Sequence, residues 1–164
     1  MHLQANEEYG LRCLLQVAGA EDLVAIAEIA RAEGLSVEYT AKIMRQLRLG
    51  ELVESVRGAG GGYRLARPAG EIDLWSALRA LGGEPFPIDF CACHPGQQRE
   101  CVRDTDCALR ALWRTVKQNL RTTLEGIHLD DLRRDERAMT LWLDDGRPAA
   151  DAFRDAFPKE TPCS

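Results

Sequence analysis

Four of the six cysteines fall between residues 91 and 107, as Cys91, Cys93, Cys101 and Cys107, in the spacing C-x-C-x7-C-x5-C. The thiolate is the form that binds metal or enters thiol exchange. In a secreted chain such crowding suggests disulfides. In a cytosolic one, where thiols stay reduced, it suggests metal binding or redox chemistry. Zinc sites usually draw ligands from two C-x2–4-C pairs, which this segment lacks. Iron–sulfur clusters are held mainly by thiolates, tolerate uneven loop spacing and accept a non-cysteine ligand. The spacing leaves a cluster, zinc and thiol redox chemistry as three readings. Candidates for a fourth ligand are Glu8, His94 and His2. Cys13 lies on the apolar face of a helical pattern and reads as core, and Cys163 reads as a bystander.

The second constellation is basic. Between Ser36 and Arg67 stand Lys42, Arg45, Arg48, Arg57, Arg64 and Arg67 against three acids, Glu38, Glu51 and Glu54, in a chain whose formal net charge is −5. A locally basic segment is the footprint of phosphate contact. The overall negative charge argues against a chain that coats nucleic acid indiscriminately. No nucleophile–base pair and no phosphate-binding loop is visible, so the sequence does not read as an enzyme.

The elements that would position these groups follow from periodicity and punctuation. Residues 3–18 carry Leu3, Leu11, Leu14, Leu15 and Ala18 at helical spacing, and 23–33 predict a second helix closed by Gly34. Ser36 caps a third that runs through Tyr39, Ile43, Met44 and Leu47 to about Arg48. Leu52–Val56 and Gly62–Ala66 alternate on either side of Arg57-Gly58-Ala59-Gly60-Gly61, a hairpin with a flexible basic tip. Helix-turn-helix followed by a hairpin is a winged helix. The candidate DNA contacts are Ser36, Glu38, Tyr39, Lys42 and Arg45 on the third helix, with Arg57, Gly58, Gly60 and Tyr63 on the wing. The helix would enter the major groove and Arg57 the minor groove.

A further helix is expected over 72–81. Residues 84–106 read as an irregular, cysteine-bearing loop. A long helix then runs from Cys107 to about Glu125, and Leu109, Trp113, Val116, Leu120, Leu124 and Ile127 make a near-heptad seam suited to dimerisation. A short helix is expected near Leu129–Arg133. Residues 134–164 read as a loose tail with a weak helix at Ala149–Phe157. The expected fold is therefore mainly α with a small β-hairpin wing, divided into 1–83, 84–106, 107–133 and 134–164. At 164 residues with 45% hydrophobic content, the chain can bury a core of its own. It shows no signal peptide and no run long enough for a membrane span, so the expected compartment is the cytoplasm.

The chain resembles the Rrf2 family of winged-helix transcription regulators, which includes IscR-, NsrR- and RirA-like iron–sulfur sensors. The resemblance rests on Met1-His2-Leu3, Tyr9-Gly10-Leu11-Arg12, Ile26–Ala30, Leu35–Tyr39 and above all Leu52–Leu65. It continues through 72–81, the cysteine loop, Trp113 and 127–132. It implies a homodimer with long helices crossing between subunits. It also implies a cluster at the edge of the DNA-binding domain, held by three cysteines. Two of these correspond to Cys101 and Cys107, and the first is Cys91 or Cys93. IscR-like members use a histidine three residues after the last cysteine, where this chain has Arg110. NsrR-like members use an acidic residue of the partner's first helix, and Glu8 falls there. Alternatively all four cysteines bind. Both 2Fe–2S and 4Fe–4S types stay open. The expected function is operator affinity on double-stranded DNA switched by the cluster, through iron, cluster status, redox state or nitric oxide. The alternatives are zinc or thiol-redox switching on the same fold, or a cluster-free regulator acting through a partner protein.

Overall fold

The computed structural model describes residues 4–58, 60–83, 101 and 106–144. Within these, helix α1 (Ala5–Gly19), α2 (Ile26–Glu33) and α3 (Val37–Leu49) precede a hairpin, β1 (Val53–Val56) and β2 (Gly62–Leu65). Then come α4 (Leu74–Gly82), α5 (Ala108–Glu125) and α6 (Glu136–Asp144). The architecture is helical with one two-stranded antiparallel sheet, paired Val53↔Leu65, Glu54↔Arg64, Ser55↔Tyr63 and Val56↔Gly62.

Local chemistry sets the helix ends. Ser36 Oγ accepts the Tyr39 N–H, which caps α3. Asp73 accepts the Ser76 N–H at the start of α4. Gly34 closes α2 at φ 66°, a left-handed conformation that a side chain would resist. Cys13, Leu14 and Val17 of α1, Ile29 of α2, Ile43, Met44 and Leu47 of α3, and Leu52, Val53, Ile72, Ala77, Leu81 and Leu129 form one buried cluster. Glu33 ties α1 to α2 by accepting from Arg12 Nε and Gln16 Nε2, each at 2.6 Å. Burial, reinforced by the Glu33 carboxylate and only partly opposed by Arg12, pushes the Cys13 thiol up to about 11. That thiol is structural.

Two features differ from the sequence expectation. The second helix starts at Ile26, because Val24 instead exchanges backbone hydrogen bonds with Tyr63 (3.0 and 2.9 Å) and gives the wing a third pairing. Residues 136–144, expected within a loose tail, form α6. Its Trp142 lies under the Arg134 guanidinium, 4.9 Å from the ring centre. The weak helix expected at 149–157 lies outside the described residues.

The end of α5 is fastened to the body. Leu74 N–H donates to Ile127 O and Leu129 N–H to Ile72 O, both at 2.9 Å. Ile127 and Leu129 are buried there. Just beyond, burial would raise the Asp131 carboxyl, but the His128 N–H and Arg134 outweigh it and hold the group below its ordinary value.

Candidate nucleic-acid interface and thiol site

The outer side of α3 carries Ser36, Val37, Glu38, Lys42, Arg45 and Arg48, all exposed, while Thr40, Ile43, Met44 and Leu47 face the core. Among the expected contacts, Tyr39 is only half-exposed. Its ring meets the Tyr9 ring edge to face at 6.1 Å, and the Arg12 guanidinium lies over the Tyr9 ring, 5.5 Å from its centre. Tyr63 is likewise half-buried against the core. Both rings are thus partly committed to packing, which helix spacing alone could not show.

On the wing, Arg57, Gly58 and Gly60 are exposed. Gly58 sits at φ 125°, where an L side chain is strained. Gly62 lies so close to the Val24 backbone that a Cβ there would approach Val24 O to 2.6 Å. The glycine run therefore has a steric cause: it lets the hairpin tip turn and dock. Arg64 pairs across the strands with Glu54 at 2.9 Å, which leaves Arg57 as the outward cation of the tip.

The carboxyl end of α4 is held between α1 and α3. Asn6 Nδ2 donates to Leu81 O (2.8 Å) and to Gln46 Oε1 (3.2 Å), and Gln46 Nε2 donates to Leu81 O (3.3 Å). A carbonyl in the last turn of a helix lacks an intrahelical partner, and these amides supply one. Gly10 is packed directly under Leu81. Sequence reasoning missed this junction, which joins distant residues that show no pattern of their own. It joins the recognition helix to the point where the cysteine segment begins.

Of the four clustered cysteines, Cys101 and Cys107 lie among the described residues. Both are half-buried and neither is in a disulfide. Cys107 is the N-cap residue of α5, whose first turn has no acidic side chain. Sulfur donors of this kind suit iron or zinc, and among the described residues the segment supplies these two, with no group of three or more potential ligands brought together. Cys91, Cys93, Cys163, His2 and His94 lie outside the described residues. Glu8 is exposed on α1, whereas its neighbour Glu7 is buried, accepts the Gln4 N–H at 2.7 Å and packs against Gly82.

The expected dimer seam divides in two. Leu109, Trp113 and Val116 are exposed, and Leu112, which the seam did not include, is exposed with them at 51%. Leu120 and Leu124 are half-buried and Ile127 is buried within the chain's own body. Periodicity identified an apolar face without telling what covers each part of it.

A helix-turn-helix with a basic, glycine-turned hairpin defines a winged-helix regulator. The chain belongs to the Rrf2 family: the family model described as "Iron-dependent Transcriptional regulator" matches residues 3–135. The chain is 30% identical over 143 residues to the HTH-type transcriptional regulator IscR of Vibrio atlanticus, covering 86% of this chain and 80% of that one. It is 34% identical over 137 residues to protein rrf2 of Nitratidesulfovibrio vulgaris, covering 82% and 89%. In three dimensions it is similar to CymR, described as the global cysteine regulator of B. subtilis. There the TM-score is 0.66 and the identity 28%, over 80% of this chain and 95% of that one. IscR of T. potens shares the fold at TM-score 0.62 and 24% identity, over 100% and 94%. This is a family of transcription regulators and not of enzymes. Among the described residues no helix is long and apolar enough to cross a membrane.

Proposed function

We propose that the chain is a cytoplasmic homodimeric regulator that binds double-stranded operator DNA through α3 and the wing, and that an iron–sulfur cluster on the cysteine segment sets its affinity. The observation that supports this most is connectivity. The segment leaves α4 where Asn6 and Gln46 hold Leu81, and enters α5 at Cys107. Cys101, Cys107 and either Cys91 or Cys93 supply thiolates. The further ligand is Glu8 of the partner subunit or the fourth cysteine. A bound 2Fe–2S or 4Fe–4S cluster supplies iron-centred redox and ligand-exchange chemistry. Lys42 and Arg45 make phosphate contacts, Glu38 accepts from a base amino group, and Arg57 enters the minor groove. Leu109, Leu112, Trp113 and Val116 form the dimer seam. The order of the cysteine segment then governs the spacing of two recognition helices, which must match half-sites about 34–36 Å apart or a multiple of that distance.

Anaerobic purification with an absorption spectrum and iron and acid-labile sulfide analysis tests this. The expected protein is brown and holds both elements, and its band shape separates the two cluster types. Cys101→Ala is expected to lose the chromophore entirely, and a normal spectrum in that variant removes Cys101 from the ligand set. A protein still colourless after anaerobic reconstitution overturns the cluster reading.

The second reading is the same fold switched by zinc or thiol oxidation, or a cluster-free regulator working through a partner protein. Similarity to CymR favours it: that cysteine regulator is also known from Staphylococcus aureus in an oxidized form, at 27% identity and TM-score 0.59.

A further inference from the structure

The outward side chains of the first three turns of α3 are polar or charged except at Val37 and the small, half-exposed Ala41. Ser36, Glu38, Lys42 and Arg45 are exposed, and between the first two stands Val37, 45% exposed. Val37 belongs neither to the buried cluster nor to the partly buried side chains packed against it. Valine is also a poorer helix former than the alanine, glutamate or lysine that would serve at a solvent-facing position. Folding therefore gives no reason for this side chain. Leu49, the other exposed apolar residue of α3, lies at the opposite end of the helix, away from the N-terminal turns that reach base edges.

A duplex offers one partner for an apolar group at that position. The major-groove edges of the bases present hydrogen-bond donors and acceptors, and the only apolar group among them is the C5-methyl of thymine. We infer that Val37 is a specificity-determining residue that reads thymine by packing its branched methyls on that C5-methyl. The inference rests on the DNA-binding reading above but not on the cluster. Glu38 beside it cannot substitute, because a carboxylate only accepts hydrogen bonds and is suited to the amino group of cytosine.

The test uses the purified full-length chain to select a binding motif from random duplex DNA. Each thymine of the motif is then replaced by deoxyuridine, which removes only the methyl. At one thymine per half-site the wild-type affinity is expected to fall about fourfold, the effect of one methyl kept in water. Val37→Ala is expected to bind thymine and deoxyuridine almost equally at that position with an unchanged salt slope. Val37→Thr, close in shape and keeping one methyl, is expected to be intermediate. A wild-type chain indifferent to deoxyuridine at every position overturns the inference, as does a Val37→Ala chain that keeps the full preference. If no motif is enriched and no duplex is bound, the DNA-binding reading fails and this inference with it.

Discussion

The body built by α1 to α4 and the helix α5 treat apolar surface in opposite ways. In the body, apolar residues of α1, α3 and α4 turn inward into one cluster, and several glycines sit where an added Cβ would collide with a neighbour. Among them are Gly10 under Leu81, Gly50 under Ala80 and Gly62 against Val24. Just past the far end of α5, Leu129 joins the same cluster and Ile127 is buried, while the near half of α5 exposes Leu109 at 60% together with Leu112, Trp113 and Val116. The body thus buries its apolar side chains within the chain, whereas the near half of α5 leaves these four exposed, the face assigned above to the proposed dimer seam.

The sharpest way to break that contrast is to charge the open face. Leu112→Glu is expected to leave the fold intact, halve the mass in sedimentation and weaken operator binding about a hundredfold, as the two half-sites lose their linkage. A persistent dimer would show that this face serves another purpose. Next in size, Leu129→Ala removes a fully buried side chain where α5 meets the body, and is expected to cost about 2–5 kcal/mol in chemical denaturation. Arg57→Ala acts on neither region's core. It is expected to leave stability unchanged, weaken DNA binding moderately, and lower the slope of log affinity against log salt by about one. An unchanged slope would remove the wing tip from the interface. The smallest effect concerns Cys13. Its thiol stays protonated in the fold to about pH 11, against 9.0 for the ordinary group. The stability gained from burying it is therefore full below pH 9 and lost as pH rises toward 11. Cys13→Ala should flatten that part of the unfolding profile, and an identical profile would show that other groups dominate it.

What the sequence disclosed was local. Ser36, Gly34 and the wing glycines announce their positions because the capping bond, the left-handed turn and the tight hairpin are decided within a few residues. The start of α2 was misread because Leu23, Val24 and Ala25 continue an apolar run, while the backbone of Val24 is claimed by Tyr63, far along the chain. Helix α6 was missed although Ala138, Met139 and Trp142 stand at helical spacing and are its half-buried residues, because the exposed Leu141 and Leu143 on either side of Trp142 blur that stripe. Among candidate site residues, the exposure of Lys42, Arg45 and Arg57 follows the expected pattern. The packing of Tyr39 on Tyr9 depends on how α1 crosses α3, which no spacing rule contains. The division of the α5 seam is of the same kind.

The fastening of α5 at its carboxyl end has a mechanical consequence. Eighteen residues of helix make a rod about 27 Å long. It is anchored where Leu74 meets Ile127 and Ile72 meets Leu129, and it carries Cys107 at the opposite tip. Over that length each degree of tilt about the anchored end carries the tip by roughly half an ångström. Read in reverse, a displacement of an ångström or two at the thiol end becomes a rotation of a few degrees at the root of α4.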